Sequence, residues 1–189
     1  LAGHFTETAL GLVMDKIPPY SADQYRQMIL AAQEEFLKYG ITAATDPAVM
    51  PDLLEVYKMM DDKKELKIRI NAIPVRVPDG ADHALPMPEK YASDYLKVDT
   101  VKFFSDGGLS GKTAALKHPY KNSNELGVLR LKKDFFVQLA REAQEHNFRI
   151  ATHAIGDAAI DMVLDVYEEI FPQNKTNIKH RIEHLGFPS

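Results

Sequence analysis

Apolar positions along the chain switch repeatedly between two spacings. Behind Ser21, whose hydroxyl can cap exposed amides, Tyr25, Met28, Ile29, Ala32 and Phe36 recur at helical intervals until Gly40 can stop the helix. A strand is expected over 41–45. Pro51 then opens a second helix carrying Leu53, Leu54, Val56, Tyr57 and Met60. In 67–75, Ile68, Ile70 and Ala72 alternate with basic or polar neighbours, the period of a strand. Further along, the pattern predicts a strand over 100–105 and a helix over 131–147 with Phe135, Phe136, Leu139, Ala140 and Ala143 on its apolar side. A strand over 149–153, an aliphatic helix over 158–170 and a strand over 178–183 complete the series.

This βα alternation implies an α/β fold with a parallel sheet, because parallel neighbours need a crossover and a helix is the usual one. An open doubly wound sheet and a part of a barrel both satisfy it. Two connections are longer than such units need: 78–88, rich in proline and polar residues, and 106–130, which contains Gly107-Gly108, Ser110-Gly111-Lys112-Thr113 and His118-Pro119-Tyr120. The second is the better candidate for a functional loop.

Composition narrows the classes. With 189 residues, 45% hydrophobic and 26% charged, the chain can bury a core. A formal net charge of −4 without a long basic block argues against nucleic acid as a partner. No apolar run is long enough to cross a bilayer, so a soluble chain is expected, with the cytoplasm favoured. The absence of cysteine excludes disulfides, thiolate metal sites and a cysteine nucleophile. The start, Leu1-Ala2-Gly3-His4, lacks an initiating methionine and is read as that of a processed or excised piece.

Chemistry gathers in three segments: Val101-Lys102-Phe103-Phe104-Ser105-Asp106-Gly107, Ala151-Thr152-His153-Ala154-Ile155-Gly156-Asp157 and His180-Arg181-Ile182-Glu183-His184. Each begins as a buried strand and ends in lysine, histidine or carboxylate beside a loop, where parallel α/β folds collect their active groups. A metal site is the leading reading. Taken singly, a histidine at a strand end is more often a hydrogen bonder in the core or on the surface, and a lysine there more often a surface group with a buried stem. Asp106, Asp157 and Glu183 could orient imidazoles, cap helices or stand as solvated charges. His4, His83, His118, His146 and His180 form no second metal pattern and are expected to be solvent-facing or local hydrogen bonders. Ser110-Gly111-Lys112-Thr113 falls short of a phosphate loop, since Asp106 stands where the first glycine is required.

Taken in order, these motifs resemble the amidohydrolase superfamily, within the subgroup (amidohydrolase family 3) of N-substituted formamide deformylases and many uncharacterised metal-dependent hydrolases. The matching residues are Val101-Lys102 with Ser105-Asp106-Gly107, Thr113-Ala114-Ala115-Leu116, His153-Ala154-Ile155-Gly156-Asp157 with Ala159-Ile160, and Arg181-Ile182-Glu183-His184; Gly40-Ile41-Thr42 adds an earlier βα unit. The resemblance implies a partial TIM-type (β/α)8 barrel, with residues 1–189 forming one partial domain that carries strands two to six and lacks the N- and C-terminal barrel elements. It further implies metal ligands at Lys102, carboxylated by carbon dioxide, His153 and His184, with one or two divalent cations, zinc by preference. A histidine pair after strand one and an aspartate after strand eight would complete the set.

The function so implied is metal-dependent hydrolysis of a non-peptide, amide-like C–N bond in a small-molecule substrate by the intact parent. The isolated piece is expected to be inactive, its open sheet edges covered by self-association. The alternatives are a noncatalytic assembly fragment and an isomerase or lyase on a related barrel.

Overall fold

The computed structural model describes residues 3, 11–14, 16–78, 81, 83–171 and 178–189; His4 lies outside them. The elements are, in order, α1 (Gly11–Met14), α2 (Ala22–Lys38), β1 (Ala43–Val49), α3 (Pro51–Asp62), β2 (Arg69–Pro74), β3 (Tyr91–Ala92), β4 (Leu96–Val98), β5 (Thr100–Phe104), α4 (Lys133–Glu145), β6 (Arg149–Ala154), α5 (Asp157–Ile170) and β7 (Arg181–His184). All five expected strands are present as β1, β2, β5, β6 and β7. The hairpin of β3 and β4 is additional, and at two and three residues its strands are too short to leave a period in the sequence.

Helix ends follow local chemistry. At α2, Ser21 accepts from the Gln24 amide while the Gln24 side chain accepts from the Ser21 amide, a reciprocal cap. The same helix stops at Gly40, φ +72°, where the Gly40 amide bonds Leu37 O and the Ile41 amide bonds Phe36 O. Lys64 and Asn147 make the same left-handed turn after α3 and α4, with the same pair of backbone bonds. Asn147 tolerates that conformation well; at Lys64 the residue type gives no such signal.

Two sheets result, ordered β1-β2-β4-β3 and β5-β6-β7, in which every pairing except β3 with β4 is parallel. Only Asp99 separates β4 from β5. The early half of this stretch pairs with the start of β2, Ile70 opposite Leu96; beyond the end of β2, Val75 bridges Lys102 and the Arg76 amide bonds Lys102 O at 2.9 Å. Between these two pairings the β4–β5 side gains one residue, a bulge that lets one extended segment serve both sheets. The parallel strands therefore succeed one another as β1, β2, β4–β5, β6, β7.

Helices cover one face. On β5, Phe103 points to α4 and meets Phe136 with ring centroids 5.1 Å apart; on β6, Thr152 meets the hydroxyl of Tyr167 from α5 at 2.7 Å. Phe136, Ala140, Ala143, Ile150, Ala159, Val163 and Val166 are buried between these layers. Exposed ion pairs, Lys133–Asp165 and Arg141–Glu169, bridge α4 and α5 outside and contribute little stability each.

His180, ahead of β7, is a local hydrogen bonder as expected. Its Nδ1 accepts from the Ile150 amide at 3.1 Å, and its ring lies 5.2 Å from that of Tyr167. Burial, reinforced by the Arg149 charge, pushes this imidazole below its ordinary value. The unfolded chain therefore takes up the proton first as pH falls, and charging also converts Nδ1 from acceptor to donor. The stability due to a neutral His180 is complete above the ordinary histidine range, about 6.5, and is lost as pH falls through the lower folded value. Urea unfolding at several pH values across that range should show stability declining towards acid, with a shallower decline in His180→Asn, whose amide oxygen can still accept. His184 titrates with the same sign, so part of the slope persists. Identical slopes in the two proteins would remove His180 from this role.

Candidate metal centre

The register of β5, β6 and β7 sets out the site. Lys102 stands opposite Ala151, Phe104 opposite His153, and His153 opposite Glu183. Directly paired residues in parallel strands share a face, and this one is opposite to the face that α4 and α5 cover. It brings together Lys102, Phe104, His153, Arg181 and Glu183.

His184 reaches the same place differently. Its strand partner is Ala154, on the helix-covered side. At His184, however, the backbone turns left-handed, φ +71°, followed by Leu185 at +47°. The ring thereby lies edge-on to His153, centroids 4.6 Å apart. Such conformations cost on the order of 1 kcal/mol or more for a side chain with a Cβ and concentrate at functional sites.

Lys102 is 3% exposed, with Nζ 5.0 Å from the centre of the Phe104 ring. Burial pushes its ammonium down from the ordinary lysine value; the carboxylate of Glu183 opposes that shift and the Arg181 charge adds to it. Arg181 and Glu183 are themselves ion-paired. Burial also lowers His184, with further contributions from His153 and Lys102. Both effects favour neutral nitrogen atoms carrying lone pairs.

His153 is held from its far side. Nε2 lies 2.9 Å from the Gly107 carbonyl oxygen and 3.3 Å from Asp106 Oδ1. A carbonyl only accepts, so Nε2 carries the hydrogen and Nδ1 keeps its lone pair. An imidazole ligand anchored to a backbone carbonyl through its other nitrogen is the usual metal-site arrangement.

Asp106 is completely buried. Besides facing His153, Oδ1 accepts from the Ile155 amide at 3.0 Å, while Oδ2 accepts from Ala115 at 3.0 Å and Gly156 at 2.8 Å. Asp157 acts elsewhere, accepting from the Lys117 amide at 2.8 Å and from Ala158 at the start of α5 at 2.9 Å. Of the three candidate orienting carboxylates, Asp106 reaches an imidazole, Glu183 stands beside Lys102 through its charge, and Asp157, the first residue of α5, ties the loop to that helix through Lys117. The 106–130 loop docks by the same contacts, with the Ala158 amide bonding Ala115 O at 3.1 Å. A Cβ at Gly156 would overlap the Ala115 carbonyl, and one at Gly127 that of Ala114, so the loop seats where those glycines permit.

Phe104 and Arg181 lie within the sequence motifs without a role of their own there, and Arg130 lies outside them. Phe104 packs 5.5 Å from the His153 ring and 5.8 Å from the Arg130 guanidinium. Arg181 could have been found from the two-residue period that puts it on the Glu183 face. The arrival of Arg130 depends on loop docking, which leaves no such period. Two clefts, about 350 and 360 Å³, lie apart from these residues: one beside Thr45, Arg69, Asn71 and Lys97, the other between α2, β1 and α3. Among the described residues no three of His, Cys, Asp and Glu converge on one point.

Comparison with known proteins bears on this arrangement. The model of the amidohydrolase family matches residues 1–187. YtcJ of Bacillus subtilis is 27% identical over 178 residues, 91% of this chain and 33% of its own length. N-substituted formamide deformylase of Arthrobacter pascens is 23% identical over 173 residues, 86% of this chain and 31% of its own. The chain thus spans about a third of the length of the curated relatives it matches. An uncharacterised metal-dependent hydrolase from Pyrococcus furiosus superposes with a TM-score of 0.74 at 25% identity, covering 92% of this chain and 36% of that one.

Removal of the Asp106 carboxylate leaves the Ala115 and Gly156 amides buried without an acceptor. At about 1–3 kcal/mol for each such group, Asp106→Ala should lower stability by about 2–6 kcal/mol, read as a shift in urea midpoint. A change below about 0.5 kcal/mol, the scale of an ordinary surface substitution, would show that these bonds carry no weight.

Proposed function

The chain belongs to the amidohydrolase family, and on that premise we propose that it forms part of a metal-dependent hydrolase cleaving non-peptide, amide-like C–N bonds in small molecules. The observation that carries this reading is the meeting of Lys102, His153 and His184 at one end of three parallel strands, two of them buried or anchored and the third brought in by strained backbone. In this reading residues 1–189 are one partial domain. The strands β1, β2, β4–β5, β6 and β7 are strands two to six of a (β/α)8 barrel whose remaining strands cover the open edges of β1 and β7. Likeness to a solved metal-dependent hydrolase supports it.

The donor set suits one or two divalent cations, zinc by preference, since neutral imidazole is a good zinc ligand. Bound there, the cation lowers the pKa of water and polarises the scissile carbonyl. The chain's own residues prepare for it. Burial makes the Lys102 amine more readily neutral, and its lone pair can then add to the carbon of CO2, an N–H proton passing to solvent, to leave a carbamate with two oxygen donors. His153, with Nε2–H tied to the Gly107 carbonyl, offers Nδ1; His184, pushed down by burial, offers a neutral ring. The Phe104 ring screens the Lys102 amine from water.

Elemental analysis of the full-length protein tests this directly. One or two metal ions per chain are expected, with affinity lowered at least tenfold in His153→Asn and in His184→Asn, together with loss of hydrolysis of N-formyl and N-acyl amines. Metal content that survives both substitutions would exclude these two residues as ligands.

A further inference from the structure

The Asp106 carboxylate joins three parts of the molecule that are distant in sequence. Its four contacts are the Ala115 amide in the 106–130 loop, the Ile155 and Gly156 amides in the turn between β6 and α5, and Nε2 of His153. The three amides donate hydrogen bonds to it, and Nε2 of His153 stands 3.3 Å from Oδ1, at ion-pair distance. The second acceptor for His153, the carbonyl of Gly107, opens the same loop, and the Gly107 amide is bonded to Thr113 O at 3.3 Å. The carbonyl that accepts the imidazole hydrogen and the carboxylate beside it are thus both placed by the way the loop folds back on itself and on α5.

We propose that Asp106 is a positioning residue that couples the seating of the 106–130 loop to the orientation and tautomer of His153. With the loop seated, Nε2–H is held by the Gly107 carbonyl, with the Asp106 carboxylate 3.3 Å away favouring the hydrogen on that nitrogen, and in the neutral ring Nδ1 has the lone pair. With the loop displaced at Ala114–Ala115, the carboxylate loses a bond on Oδ2 and Gly107 loses its neighbour at Thr113, so the ring is no longer held to one tautomer. Whatever occupies or displaces the loop therefore changes the nitrogen that His153 presents. The coupling is a property of the chain without metal; only its consequence for metal affinity rests on reading His153 as a ligand.

The test is nitrogen-15 NMR of the histidine side chains in the metal-free full-length protein, at a pH where the imidazoles are neutral. Two variants are compared with wild type. Asp106→Asn replaces one oxygen by a donor, which leaves acceptors missing whichever way the amide lies. Gly127→Ala acts at a distance, because its Cβ would overlap the Ala114 carbonyl, and the nearest atoms it would meet belong to Ala114 and Ala115. Wild type is expected to show His153 wholly as the Nε2–H tautomer, and both variants a mixture of tautomers with the β5 and β6 amide signals in place. Should Asp106→Asn fail to fold, Gly127→Ala decides alone. Loop amides that shift in Gly127→Ala while His153 keeps a single unchanged tautomer would overturn the coupling, as would a wild-type His153 that carries its hydrogen on Nδ1. Neither result depends on metal content, so it is separable from the failure of the hydrolase reading.

Discussion

The buried carboxylate of Asp106 is the contact on which the chemical end of this molecule depends. Strands β5 and β6 pair along their length without it, but the backbone beyond them needs partners of its own. The ends of parallel strands leave amides that no ladder satisfies, and buried amides must find acceptors. Asp106 supplies them for the turn before α5 and for the loop together. That accounts for a fully buried charge at this position: several donors replace its lost hydration, the condition under which such burial is tolerated.

The two faces of the strands divide the labour. On the helix side Phe103, Phe136 and the aliphatic residues of α5 pack as an ordinary core, and hydrophobic burial there supplies the stability. On the other face stand lysine, arginine, glutamate and histidine. Their cost is limited by pairing, as in Arg181 with Glu183, by anchoring, as in His153 on Gly107, and by a weakened hold on the proton, as in the depressed Lys102 and His184. The same low dielectric that makes these groups expensive makes them chemically useful, because neutral amine and imidazole are the nucleophilic and ligating forms. Strain follows the same division: His184 and Leu185 leave their strand through left-handed backbone at the chemical end.

Much of this was legible in the chain itself. Helix and strand periods located all five parallel strands and the helices between them, since the period records which face is buried and that is a local property of sequence. Ser21 and Gly40 marked the ends of α2 through equally local rules. His153 and His184 stood out near the ends of hydrophobic strands and Lys102 inside one that runs into Ser105-Asp106-Gly107, and parallel α/β folds collect their active groups on that side.

Other features were decided by tertiary structure alone. The three candidate carboxylates looked alike in sequence; distance separated Asp106, against His153, from Asp157, which accepts from the Lys117 amide, and Glu183, which pairs with Arg181. The β3–β4 hairpin, the bulge at Asp99 and the arrival of Arg130 over Phe104 arise from pairings between segments far apart in the chain. Residue order determines which groups can end a strand and which face they take. It does not determine which donor meets which acceptor once a 25-residue loop folds back, because that choice is made by the summed contacts of Gly127, Gly156, Ala115 and Asp106, and no period along the chain records it.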